Sequence, residues 1–176
     1  MSPVPVLNTL ETDRLTLRPR RVSEAAVYGQ LWTERDVRVP RHRRIDVEGR
    51  PAEGDIATQI REERDTSRLG LLAVERKVTA DVIGYCGLVF NGDGPNDEPA
   101  LAFELLRVVH TQGYATEADW AVILWADEAG YRRLWATAWD WNVASRRVLE
   151  KLGLRDTGRV SAETVPGHSL LTVLEF

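Results

Sequence analysis

Leu101–Ala118, LAFELLRVVHTQGYATEA, is the stretch whose reading decides the fold. Its first half is apolar, and Glu104 is the only charged residue between Pro99 and Leu106. Pro99–Val109 therefore reads as a strand near the centre of a sheet, where both faces are covered. A short polar loop follows, and at Tyr114 the period changes. Ala118, Ala121, Val122, Trp125 and Ala129 recur at helical spacing, and Gly130 stops the helix. A strand running through a short loop into a helix leaves the first-turn N–H groups unpaired at the positive end of the helix dipole. Those groups suit a phosphate or pyrophosphate. Gly113 lets a backbone approach an anion closely, and Thr111 and Thr116 carry hydroxyls. An ordinary helix start is the competing reading. Neither the Gly-Lys-Ser/Thr of a Walker loop nor GxGxxG is present.

Upstream, Leu15 and Leu17 alternate with polar residues in Leu10–Arg18, which predicts a strand ended by Pro19. Ser23 is a candidate N-cap for a helix carrying Ala26, Val27 and Leu31. Residues 35–54, rich in Arg, Pro and Gly, read as a loop. Ile56 and Ile60 mark a second helix over roughly 53–66. Leu71–Lys77 and Val82–Phe90 are strands, the second with Gly84 and Gly87 for close backbone approach. Asn91–Pro99 has the composition of an exposed turn. Downstream, Leu134–Trp139 reads as a strand and Trp141–Leu152 as a helix stopped at Gly153. Strands over roughly 154–162 and 169–176 close the chain. The order β-α-α-β-β-β-α-β-α-β-β, without repeat or linker, predicts one α/β domain over residues 1–176 with a mixed sheet.

At 176 residues the chain suits one domain, and about 70% of its unfolded surface can be buried. With 43% hydrophobic and 28% charged residues it has the balance of a soluble globular domain. The 27 acidic residues outnumber the 23 basic ones, which speaks against a nucleic-acid binder. Cys86 stands alone, and His42, His110 and His168 are scattered, so neither a disulfide nor a metal site is expected. No apolar run reaches the ~18 residues of a membrane helix. The opening residues lack a signal-peptide pattern, so the cytoplasm is the expected location.

His110-Thr111-Gln112-Gly113-Tyr114-Ala115, followed by Thr116, resembles motif A of the GNAT superfamily of acyl-CoA-dependent N-acetyltransferases, whose loop reads Gln/Arg-x-x-Gly-x-Gly/Ala. Asn142–Leu154, NVASRRVLEKLGL, is similar to the NxxSxxVxxKxGF signature of the branch acetylating ribosomal-protein N-termini, the RimJ/RimL-like enzymes. The opening LETDRLTLRP resembles that branch's first strand. The resemblance spans nearly the whole chain. It departs at His110, where Gln or Arg is usual, and at Thr111, where Gly is usual.

The resemblance implies a GNAT-like, mostly antiparallel sheet of six to seven strands, with splayed central parallel strands and about four helices. It implies acetyl-CoA as co-substrate and an amine acceptor, either a peptide N-terminus or a small molecule, in a monomer or homodimer. His110 to Thr116 would hold the pyrophosphate. Backbone N–H groups of about Glu104 to Leu106 would meet the pantetheine and the thioester oxygen. Leu105 and Leu106 are equally ordinary core leucines. Ser145 is the implied acid for the leaving thiolate, or a plain helix-face serine. Asn142 is the expected N-cap and would lie near the pantetheine. The tyrosine many members use as acid is replaced by Leu149. Glu104 is the candidate general base or else a salt-bridge partner for an arginine of the 35–50 loop. That loop carries Arg35, Arg38, Arg41, Arg43, Arg44 and Arg50, either solvated or facing an acidic acceptor or the CoA phosphates. Trp32, Trp139 and Trp141 are candidate groove residues. At pH 7 roughly a tenth of an α-amine is neutral, against about one lysine amine in two thousand, which favours a weakly basic acceptor. A non-catalytic acyl-CoA-binding module is the alternative.

Overall fold

Leu15 and Leu17 point inward from the second strand and are fully buried, while Thr16 and Arg18 alternate outward. The computed structural model describes residues 5–45, 47–64, 69–90, 94–95, 97–160 and 167–176. Among the described residues eight strands are present: β1 (Leu10–Glu11), β2 (Leu15–Pro19), β3 (Leu71–Arg76), β4 (Val82–Val89), β5 (Ala100–Leu105), β6 (Arg133–Trp139), β7 (Arg155–Val160) and β8 (Ser169–Glu175). The helices are α1 (Ala25–Glu34), α2 (Glu53–Arg64), α3 (Tyr114–Glu128) and α4 (Val143–Lys151). The strands form one sheet in the order β1-β2-β3-β4-β5-β6-β8-β7. Every neighbouring pair is antiparallel except β5 and β6. The mixed, mostly antiparallel sheet matches expectation, with eight strands in place of six to seven.

Several boundaries differ from the sequence reading. The strand expected over Leu10–Arg18 is two strands folded back on each other, with Leu10 opposite Leu17. Thr12 makes the turn, its Oγ1 accepting the Leu15 N–H at 2.9 Å. Ser23 caps no helix; it lies in a 3-10 turn, Val22–Glu24, where Glu24 accepts the Arg21 N–H at 2.9 Å. The strand expected over Pro99–Val109 stops at Leu105, and Arg107–Val109 is a 3-10 turn closed by Val109 N–H to the Leu106 carbonyl. α4 starts two residues late because Asn142 takes the N-cap, accepting the Ser145 N–H at 3.2 Å. Expected element residues 65–66 and 161–162, and residues 91–93 and 96 of the expected turn, lie outside the described residues.

The core lies between the sheet and its helices. α1 and α2 pack together, α1 also meets β4, and α3 packs on β4 and β5. α3 buries Ala118, Asp119, Val122, Ile123 and Ala126. Its inward stripe is therefore shifted from the expected one, and an acid stands within it. Gly84 and Gly87 allow close strand contact as expected. A Cβ at Gly84 would lie 2.1 Å from the Glu104 carbonyl oxygen, and one at Gly87 2.0 Å from that of Gly70. Among the described residues no helix is long and apolar enough to cross a membrane.

Candidate active site

β5 and β6 touch along a single parallel pairing, Ala100 opposite Trp135, and then diverge. The Leu106 N–H donates to the Ile83 carbonyl at 2.9 Å. Alternation along an antiparallel pair then turns the Glu104 N–H toward β4 as well, and the Leu105 N–H away from it, toward the gap beside β6. Of the three N–H groups expected to face a thioester, only that of Leu105 points into the gap. The Leu105 and Leu106 side chains are core, each 8% exposed, so their backbone and packing roles coexist. The His110 Nε2–H donates to the Leu105 carbonyl at 2.8 Å. The imidazole is thus directed to the edge of β5 rather than over the loop that follows it.

That loop is built for an anion. Thr111 has φ +64° and Gly113 +81°, both left-handed. A β-branched residue is costly there, and Thr111 holds the conformation with its Oγ1–H donating to the His110 carbonyl at 2.6 Å. From Gly113 through Tyr114 and Ala115 to Thr116, no backbone N–H has an acceptor among the described residues. The next, that of Glu117, bonds the Gly113 carbonyl. Four successive free N–H groups at the start of a four-turn helix make a concave donor surface with the dipole behind it. A pyrophosphate fits that chemistry.

The loop is braced from a distance. Glu117 Oε1 accepts the Thr12 hydroxyl at 2.7 Å and the Arg14 N–H at 2.9 Å, and its Oε2 pairs with the Arg14 guanidinium at 2.6 Å. Burial works against the Glu117 charge, but these hydrogen bonds outweigh it and lower its pKa. Arg14 also donates to the Gln112 carbonyl at 2.9 Å and stacks 4.3 Å from the Tyr114 ring centre. Nothing in the sequence flagged Arg14 or Glu117, because the pair is separated by 103 residues.

Across the gap, the segment after α1 forms a roof. Arg35 binds Glu104 through Nε at 3.0 Å and Nη2 at 2.6 Å, and the Tyr85 hydroxyl donates to Glu104 at 3.0 Å. Burial, with the Glu104 charge second, pushes the Tyr85 phenol above its usual range, so it remains a donor. Of the two readings of Glu104, the ion pair with an arginine of the 35–50 loop is the one present. Arg35 stacks 4.2 Å from the Trp32 ring centre and donates to the Arg43 carbonyl at 2.6 Å. Arg38 stacks 4.1 Å from Trp141, which lies parallel to Trp139. The roof therefore spans from the end of β5 to the end of β6. Ser145 is half-buried in the first turn of α4, beyond Trp141.

One buried pair escaped the sequence reading. The Cys86 thiol donates to Asp119 Oδ1 at 2.7 Å, both groups being inaccessible. Burial holds the Asp119 carboxyl well above the carboxylate range and the Cys86 thiol above its own. The spacing 119, 122, 123, 126 places Asp119 on the inward stripe, and that signal was readable.

Residues 14–155 match the family model described as acetyltransferase (GNAT) domain. The chain belongs to the GNAT acetyltransferase family. None of the curated proteins matches it in sequence. Solved GNAT structures share its fold. An acetyltransferase from Bacillus anthracis is 18% identical with a TM-score of 0.76, covering 95% of this chain and 98% of that one. RimL, a ribosomal L7/L12 α-N-protein acetyltransferase in complex with coenzyme A, is 14% identical with a TM-score of 0.75, covering 96% and 98%. The microcin C7 self-immunity acetyltransferase MccE, in complex with acetyl-CoA and AMP, is 15% identical with a TM-score of 0.72, covering 94% of each chain. The protein is thus a GNAT acetyltransferase, with the gap after the β5–β6 contact and the His110–Thr116 loop as its candidate active site.

Proposed function

We propose that this GNAT protein moves an acetyl group from acetyl-CoA to a primary amine, on a peptide N-terminus or a small molecule, by direct attack. The observation that supports the reading is the run of four unpaired N–H groups from Gly113 to Thr116 beside the diverging edge of β5. Acetyl-CoA supplies the acetyl group as a thioester. The backbone of Gly113 to Thr116 holds its diphosphate. The Leu105 N–H, fixed in direction by the β4–β5 pairing, donates to the oxygen on which negative charge develops. The Asn142 cap orients α4 so that Ser145 relays a proton: as the C–S bond breaks, its hydroxyl protonates the departing sulfur and is reprotonated by the proton that the attacking nitrogen sheds.

Glu104 is a poor general base in this arrangement. Arg35 holds both of its oxygens and Tyr85 donates to one of them, so proton uptake would cost the ion pair. The amine is better taken from the fraction already neutral in solution, about a tenth for an α-amine at pH 7. That favours α-amines and other weakly basic amines over lysine side chains.

Thiol release from acetyl-CoA, followed with a panel of α-amines, lysine amines and short peptides, tests the reading. α-Amines should accelerate release well above hydrolysis. Binding of acetyl-CoA without acceleration by any amine would favour an acyl-CoA-binding module, and absence of binding would overturn the site assignment.

A further inference from the structure

The roof also holds a charged cavity that the proposed chemistry does not use. It is open to solvent, measures about 290 Å³ and, among the described residues, is lined by Trp32, Arg41, His42, Arg44, Arg50 and Pro51, with Arg41, His42 and Arg50 exposed. That is near the lower end of the ~300–1,000 Å³ of small-molecule sites. None of these six is acidic, and Asp46, between Arg44 and Arg50, lies outside the described residues. The setting is unexpected in a chain of net charge −4. Residues 35–50 carry six arginines against three acids. Asp36 is bound by Arg38, and Arg50 pairs with Glu48. Glu104, the carboxylate that reaches the roof from β5, is taken by Arg35. Arg44 donates its Nε–H to the Val39 carbonyl at 2.6 Å, a bond that fixes the side chain without neutralising it. Arg41 is exposed.

We propose that this cavity seats an anionic group of the acceptor, a carboxylate or a phosphate set apart from the amine. The inference rests on the acetyl-transfer reading above and deepens it. Trp32 forms a wall of the cavity, Arg35 stacks on Trp32, and Arg35 holds Glu104 directly before Leu105. The cavity thus adjoins the acceptor side of the gap. It contains no residue of the 110–116 loop, which is tied to the β1–β2 turn, so it is separate from the diphosphate surface. Guanidinium forks match the geometry of carboxylates and phosphates, and Trp32 offers apolar area to the stem that carries them. The same charges repel a cationic acceptor, so lysine-rich peptides are disfavoured.

Calorimetry on the protein saturated with CoA tests this with matched pairs: glycylglycine against glycylglycinamide, and phosphoethanolamine against ethanolamine. The anionic member should bind at least tenfold tighter at low salt, and the gap should shrink as salt rises. Whichever pair shows the larger gap identifies carboxylate or phosphate. Arg41→Glu should abolish the gap, and Arg41→Ala should reduce it, with CoA affinity within twofold of the parent. Members of each pair binding within twofold, no binding of either anion, or a gap that ignores salt would overturn the proposal, even if neither variant folds. A separate acetyl-CoA titration reads the underlying function. If acetyl-CoA fails to bind, that reading falls, and the matched pairs on the CoA-free protein still report on the cavity.

Discussion

Arg35 and Glu104, 69 residues apart, meet through a two-point ion pair that fastens the segment after α1 to the end of β5. Their side chains are only 15% and 24% exposed, so the pair is weakly screened. It places the arginine-rich segment over the gap and occupies the carboxylate that the sequence offered as a base.

Glu104→Gln leaves a largely buried guanidinium without its counter-charge. Stability should fall by about 1–3 kcal/mol. The KM for the amine should rise as the roof loosens, with kcat toward an α-amine near the parent value. Melting temperature and steady-state kinetics on the same sample check this. A hundredfold loss of kcat at unchanged melting temperature would make Glu104 the base after all.

Gly113 holds φ +81°, and a Cβ there would lie 3.3 Å from the Arg14 guanidinium. Gly113→Val should strain the loop, crowd the N–H surface, and weaken acetyl-CoA binding tenfold or more, about 1.4 kcal/mol. Thr111→Gly should act in the opposite sense, because glycine holds φ +64° without strain. A few-fold gain in affinity by calorimetry is expected. Equal affinities for parent and both variants would remove the loop from the site.

Ser145→Ala should lower kcat by 10²–10⁴-fold, as expected for loss of a general acid, while the Kd for acetyl-CoA changes little. The Asn142 cap uses the Ser145 backbone N–H, so the substitution leaves α4 capped. A kcat within twofold of the parent would give the proton to water or another group.

Asp119 tests the buried pair through pH. Its folded-state pKa is raised by burial, whereas in the unfolded chain it ionises near pH 4. Its contribution therefore favours folding below about pH 4 and is lost as pH rises toward the folded value, by at most about 1.4 kcal/mol per pH unit. Asp119→Asn keeps an oxygen acceptor for the Cys86 thiol and does not ionise. Its stability relative to the parent should rise as pH increases from 4 to 8. Parallel stability–pH curves from denaturant titrations would show that Asp119 is not protonated in the folded protein.

The central strand, the loop at Gly113, the helix that follows and the order of the remaining elements were legible in the chain. Each rests on neighbours within a few residues: alternation in Leu15 and Leu17, helical spacing through Ala118 and Val122, a cap at Asn142, a stop at Gly130. The same local rules explain the misplaced boundaries. The turn at Thr12 interrupts a pattern that still alternates, and the 3-10 turn at Arg107–Val109 follows β5 without any change in apolarity. Tertiary structure alone decided which charges meet. Glu104 could have been a base or an ion-pair partner until the roof brought Arg35 to it. Glu117 could have been a solvated first-turn acid until the β1–β2 turn brought Thr12 and Arg14. The physical reason is range. Backbone conformation is biased by adjacent side chains, whereas an ion pair forms only between groups that the whole fold delivers to within a few ångströms.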